Sequence, residues 1–273
     1  MITVKPVFWD EFECKAGDCK HTCCSGWEID VDPGSVEYYR QIPGKLGEKL
    51  RGSIEEDEEG YHFRMEDDRC PFLQKNGRCR IIRILGEGAL CDICALHPRF
   101  YEEYGGYELC GLGLSCERVC ELLWESDGKL FFLTEEGTEF TFAGQDVTYV
   151  PRKGRDYLNS LFNRFRQTEP IDDGWTAEMV DYDRHFDALC DAVVSYAESF
   201  DRGRYNRLFS YVIYRQLEKV ALDEWSVEKL IEYGRRATDF IFATDAYRGD
   251  PLERIRRFSE QIEYSTENVE IIA

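Results

Sequence analysis

Eleven of the twelve cysteines in this 273-residue chain fall between Cys14 and Cys120, and only Cys190 lies beyond them. This distribution constrains the fold most, because a segment so rich in sulfur must be cross-linked, hold metal, or bury its thiols as small hydrophobes. The densest run is "CKAGDCKHTCCSGW" at residues 14–27. Compartment separates the first two possibilities. The start "MITVKPVFWDEF" carries acidic and aromatic residues where a secretory leader has an unbroken apolar run, and no later stretch approaches the length of a membrane span. A cytoplasmic protein that does not engage membranes is expected. In that reducing compartment cysteines serve metal binding or catalysis rather than disulfides.

The spacing reads Cys14-x4-Cys19-x3-Cys23-Cys24, then Cys70-x8-Cys79, then Cys91-x2-Cys94, then Cys110, Cys116 and Cys120. A zinc ribbon needs two CxxC knuckles and a bacterial ferredoxin a C-x2-C-x2-C-x3-C run, so neither standard pattern fits. Thiolate-rich, histidine-poor sites select soft or borderline ions, which leaves zinc and iron–sulfur clusters. Adjacent Cys23 and Cys24, in an extended segment, point to opposite sides and are expected to do different jobs. His21 and His97 are possible nitrogen ligands, with a hydrogen-bonding or surface role as the plainer reading. Cys116 is expected in the first turn of a helix, where the dipole favours the thiolate. Cys120, one turn on, is expected to pack. So is Cys190, which shares an apolar helix face with Phe186, Leu189 and Val193. Cys110, on a hairpin strand, stays open between the two roles.

Composition changes near residue 125, which predicts a cysteine-rich, irregular metal-binding domain over 1–125 and a β-hairpin followed by a helical bundle over 126–273. The fold class is therefore α+β. In the second half "RYNRLFSYVIYRQLEKVAL" repeats apolar residues at three- and four-residue steps. Similar patterns in "DYLNSLFNRF", "HFDALCDAVVSYAESF" and "SVEKLIEYGRRATDFIF" predict four or five helices, the last opened by Gly249-Asp250-Pro251. Hairpins are predicted in "RFYEEYGGYELCGL" and "KLFFLTEEGTEFTFAG", with a short helix capped by Ser115 between them. The acidic run "EEDEEG" at 55–60 reads as a solvated loop. With 34 Lys plus Arg against 54 Asp plus Glu, the net charge of −20 disfavours nucleic acid; such a field would steer a positively charged, lysine-bearing partner, with simple solubility as the plainer reading.

The ordered combination "C-x4-C-x3-CC-x-GW", "RCPFL…NGRC", "LGEGALCDIC…HPRF" and "LSC" resembles the flagellin lysine N-methylase family, which is related to a wider group of cysteine-cluster proteins. The closing "FSEQIEYSTENVEII" resembles that family's end, so the likeness runs over almost the whole chain. It implies S-adenosylmethionine-dependent methylation of flagellin lysines by a protein with an iron–sulfur cluster, expected as [4Fe–4S] with zinc as the alternative. The matching positions are Cys14, Cys19, Cys23, Cys24, Cys70, Cys79, Cys91, Cys94 and Cys116, whereas Cys110, Cys120 and Cys190 are particular to this sequence. Trp27, Pro71, Pro98 and Arg99 match without an implied role. The sequence departs from familiar methylases in lacking a strand followed by a GxGxG loop; "CGLGLSC" leads into a helix instead. It also lacks the CxxxCxxC triplet of radical adenosylmethionine enzymes, since Gly26 stands where the third cysteine belongs. No catalytic residue stands out among sixteen tyrosines and many carboxylates. The rival expectation is a non-catalytic zinc- or iron-binding protein.

Overall fold

In the computed structural model, which describes residues 1–273, strand β1 (Ile2–Pro6) is followed by a separate unit, Glu13–Pro98, before the chain returns to the unit that contains β1. The Glu13–Pro98 unit holds α1 (Pro33–Gln41), α2 (Gly44–Gly52), a hairpin of β2 (Ile54–Glu56) and β3 (Tyr61–Phe63), α3 (Arg80–Leu85) and α4 (Asp92–Leu96). Asp32 and Pro33 start α1, the carboxylate accepting the Ser35 amide at 2.7 Å and the ring fixing the first helical φ. The corner between α1 and α2 is so tight that a Cβ on Gly47 would stand 1.7 Å from the Ile42 carbonyl oxygen. The "EEDEEG" segment is not a free loop. It supplies most of β2 and the hairpin tip, where the Asp57 carboxylate accepts from the amides of Glu59 and Gly60. This unit buries twelve apolar side chains, and Cys70 and Cys91 are two of them. So small a core is where a further tether matters most.

The second unit, Met1–Phe12 with Arg99–Ala273, is built on a five-stranded sheet. It comprises β4 (Arg99–Tyr104), β5 (Tyr107–Leu112), β6 (Phe132–Thr134) and β7 (Glu139–Phe140) together with β1, in the order β4-β5-β1-β6-β7. Only β1 and β5 are parallel, with Ile2 opposite Tyr107 and Val4 opposite Leu109. Both expected hairpins are present, the first turning through Gly105 and Gly106 at φ +55° and +87°, values that glycine adopts without a Cβ penalty. Around the sheet lie α5 (Glu117–Glu125), α6 (Arg155–Phe165), α7 (Asp173–Arg184), α8 (Phe186–Tyr196), α9 (Arg202–Tyr214), α10 (Leu217–Ala221), α11 (Val227–Arg248), α12 (Pro251–Phe258) and α13 (Thr266–Ile272). A π-helical turn, Ser259–Glu263, follows α12.

The fold is α+β, and three further details differ from the sequence reading. Eight helices follow residue 150, not four or five. The long periodic stretch breaks at Arg215 and Gln216 into α9 and α10, α7 shows only Trp175, Met179 and Tyr182 to the core, and α13 is too short to announce itself. Ser115 does not cap α5. Its Oγ donates to the Tyr264 hydroxyl at 2.9 Å, and Cys116 holds the N-cap position. The structural units, Glu13–Pro98 and the remainder, also do not coincide with a division at residue 125. Composition follows the thiols, whereas the fold follows hydrogen bonds: β5 pairs with β1, and the Tyr214 hydroxyl on α9 reaches the carbonyls of Val4 and Cys110.

Candidate metal centre

Irregular backbone bridges, rather than extended sheet, hold the cysteine segments of the Glu13–Pro98 unit together. The Cys70 amide donates to the Cys24 carbonyl at 2.8 Å, Ser25 bridges to Arg69, Leu73 bridges to Cys79, and the Arg80 amide donates to the Phe72 carbonyl at 2.8 Å. Cys79 and Cys91 then stand as N-cap residues of α3 and α4, each with extended backbone. A sulfur there faces the amides of a helix's first turn, which favour a thiolate.

These constraints gather five thiols. Cys94 feels the charges of Cys91, Cys24 and Cys70, while Cys79 feels those of Cys24 and Cys91. Burial pushes Cys70 up to about 12, partly opposed by the Phe72 and Leu73 amides. Burial also raises Cys79, against the pull of the Ile82 and Ile81 amides. The other thiols split in character. A hydrogen bond from Cys23 brings Cys24 down to about 7, with Arg69 adding to the pull. A hydrogen bond from Cys94 lowers Cys91, and the same bond, together with burial, raises Cys94. Two thiols thus favour the thiolate, each beside a protonated neighbour, and the crowd has little positive charge to balance full ionisation. In chemical type the donor set suits a thiolate-ligated metal, whose binding would displace the remaining thiol protons.

The remaining candidates are distributed differently. Cys23 is exposed and Cys24 half-buried, as expected for neighbours with different surroundings. Their segment is a turn and not an extended strand, however, which lets the two thiols hydrogen-bond. Trp27 Nε1 fastens this turn by donating to the Cys23 carbonyl at 2.9 Å. Cys14 is exposed, its Sγ accepting the Ala16 amide at 3.3 Å, and half-buried Cys19 ends the short 3-10 turn Ala16–Asp18. Cys116 lies in the other unit, at the N-cap of α5. There Cys120 is fully buried and its thiol donates to the Leu114 carbonyl at 2.9 Å, a packing role. Cys190 is buried on α8, and Cys110 is buried on β5 with its thiol pushed up to about 11 by burial. His97 departs from the plain reading. Burial lowers it to about 4, and its buried Nε2 has no hydrogen-bond partner, so the imidazole is neutral with an open lone pair or N–H.

Three supporting residues gave no signal in the sequence. Asp32 caps two helices at once, because its Oδ2 also accepts the Asp92 amide at 3.0 Å, the first residue of α4. Its carboxyl is held below the ordinary range; desolvation opposes this, and the Asp92 and Ser35 amides outweigh it. Tyr39 is fully buried beside the thiols, donating to the Ala89 carbonyl at 2.8 Å. Burial and then the charges of Cys91 and Cys94 raise its phenol. Arg69 is the cation that acts on Cys24. Elsewhere in this unit, ligand atoms of Asp57 and His62, on the β2–β3 hairpin, and of Glu28, before α1, lie within 4.8 Å of one another. His62 Nε2 stands 3.7 Å from both Glu28 and Glu55, so the half-buried imidazole has carboxylate neighbours in the protein itself.

Comparison with known proteins adds kinship. Lysine-N-methylase of Salmonella typhimurium is 27% identical over 139 residues, covering 43% of this chain and 31% of that protein, and the Salmonella choleraesuis lysine-N-methylase matches with the same figures. Flagellar biosynthetic protein FliU of Salmonella muenchen is 27% identical over 139 residues, covering 43% of this chain and 75% of that protein. The match therefore spans about a third of the length of the methylases. No family model matches the chain, and no solved structure does. No helix is long and apolar enough to cross a membrane.

Proposed function

This chain is related to the lysine-N-methylases and FliU, and from that premise we propose that it transfers methyl groups from S-adenosylmethionine to lysine side chains of flagellin. The kinship at 27% identity over 139 residues carries the reading. The net charge of −20 supports it, since it steers lysine-bearing surfaces towards the protein. In this reading the ligands of an iron–sulfur cluster come from Cys24, Cys70, Cys79, Cys91 and Cys94, with Cys14, Cys19 and Cys23 as further candidates in the same unit, while Cys116 belongs to the other unit. The bound cluster supplies a fixed core for a unit that otherwise buries few apolar side chains. Methyl transfer itself asks the protein to align a sulfonium with a deprotonated amine and to exclude water.

The test is anaerobic incubation of the whole protein with methyl-labelled adenosylmethionine and flagellin, read by mass spectrometry of flagellin lysines, with iron and sulfide quantified in the same preparation. Label on lysine from a cluster-replete protein is the expected result. A cluster-replete protein that neither binds adenosylmethionine nor labels flagellin overturns the proposal. A second reading, a non-catalytic zinc- or iron-binding protein, rests on the thiols forming part of a unit of their own. It predicts metal release to an acceptor and no methyl transfer.

A further inference from the structure

The Glu13–Pro98 unit carries a cleft of about 480 Å³, within the range of small-molecule sites. Part of its lining is a turn over 74–78 that the chain builds for itself. The Gln74 amide donates to the Arg78 carbonyl at 3.0 Å and the Gly77 amide to the Gln74 carbonyl at 2.9 Å, while Asn76 Oδ1 accepts the Arg78 amide at 3.2 Å. From α2 comes Lys49, its ammonium 5.8 Å above the ring of buried Phe72, and from α3 its first residue, Arg80. The cleft is thus formed before any ligand arrives.

Its charge runs against the rest of the molecule. Lys49, Lys75 and Arg80 line the cleft and no carboxylate does, in a chain whose net charge is −20. Lys75 and Arg80 form no ion pair or side-chain hydrogen bond within the protein. Lys49 has only Glu66, 3.8 Å away and largely exposed. Cations around one cleft repel one another, and an anion between them removes that cost. Two neutral contacts are also unmet: Gln74 Oε1 is buried with no donor and Arg80 Nε with no acceptor, and omissions of this kind are costly. A ligand that draws both side chains into the cleft satisfies them if it carries negative charge together with a hydroxyl. A carboxylate has a single charge and no donor. A phosphate brings about two charges at neutral pH and suits the arginine fork, and its own P–OH or the hydroxyl of an ester supplies the donor.

We propose that this cleft binds a phosphate group, either free phosphate or the monoester of a small hydroxyl-bearing molecule. Phosphate oxygens pair with Arg80, Lys75 and Lys49, and a ligand hydroxyl donates to Gln74 Oε1. Isothermal titration of inorganic phosphate, ribose 5-phosphate and sulfate into the anaerobically purified whole protein tests this, with metal content measured in each variant as a check on the fold. Wild type is expected to bind the phosphate compounds more tightly than sulfate, which has the charge and no hydroxyl, and Gln74→Leu is expected to erase that preference. Arg80→Gln is expected to weaken phosphate binding about tenfold or more, the value of a charged hydrogen bond. Lys75→Gln, at an exposed turn position, is expected to weaken it about two- to fivefold, and decides the matter if Arg80→Gln loses metal. Tighter binding of ribose 5-phosphate than of inorganic phosphate assigns the monoester, and the reverse order assigns the free ion. A wild-type protein that binds neither phosphate compound, or binds sulfate equally well, overturns the proposal. So does phosphate binding that Lys75→Gln and Arg80→Gln retain undiminished.

Discussion

Replacing Glu102 by glutamine is expected to make the protein relatively more stable as pH rises. Glu102 lies on β4, and its Oε2 is buried without a hydrogen-bond partner. Burial pushes its carboxyl up to about 8. Arg215 pulls it down, but that guanidinium is already committed to Glu263, 3.0 Å away with a fully buried side chain, while Glu218 adds repulsion and Lys219 a weaker pull. Two buried acids therefore share one cation. The folded state holds a proton that the unfolded chain releases near the ordinary value of 4.5. Stability is thus unaffected below that pH, falls as pH rises between the two values, and carries the full penalty above about 8. Each pH unit in this interval costs about 1.4 kcal/mol, so from pH 5.5 to 7.5 wild type should lose about 3 kcal/mol relative to Glu102→Gln. Urea unfolding of both proteins at each pH, followed by tryptophan fluorescence, isolates the difference because all other titrations are shared. A wild-type-minus-variant difference that stays constant over this range would refute the reasoning.

Further outcomes follow from the same structure. Cys91→Ser or Cys94→Ser should lose metal and lower the thermal midpoint of the Glu13–Pro98 unit, because metal–thiolate bonds are coupled to folding; Cys190→Ala should leave metal content unchanged, as anaerobic metal analysis will read. Asp32→Ala removes the acceptor of two helix N-termini and should cost about 1–2 kcal/mol at neutral pH. Because the Asp32 carboxyl is held below its ordinary value, that contribution is present above pH 3.8 and is lost in acid, so the gap between wild type and variant in denaturant midpoint should close on acidification. Tyr211→Phe strips a hydroxyl that accepts the Leu112 amide at 2.7 Å and donates to the Leu112 carbonyl at 2.8 Å. The loss should cost about 1–3 kcal/mol by urea titration and speed exchange of the Leu112 amide.

Periodicity made α6, α8, α9 and α11 legible because their apolar stripes repeat every three or four residues, and Gly-Gly and Glu-Gly made the two hairpins legible because those turns need positive φ. Cys120 and Cys190 were readable as packing residues from their helix faces. The N-cap placements of Cys79 and Cys91 were not, since a short helix such as α3 or α4 has too few residues to show a period. Asp32 was hidden for another reason. Its second partner, the Asp92 amide, lies sixty residues away and leaves no local pattern.

By itself the sequence determined that thiols are concentrated before residue 125, that the chain is strongly acidic and α+β, and that its cysteine segments follow a recognisable order. These are properties of composition and local spacing. The tertiary structure decided which thiols act electrostatically on one another, that Cys24 and Cys91 are the two shifted towards the thiolate, that β4, β5 and α5 belong with the helices, and that Glu102 and Glu263 share a single arginine. Each of those outcomes depends on contacts between distant residues or on exclusion of water. Charge and ionisation respond to what surrounds a group in space, and only the folded chain specifies those surroundings.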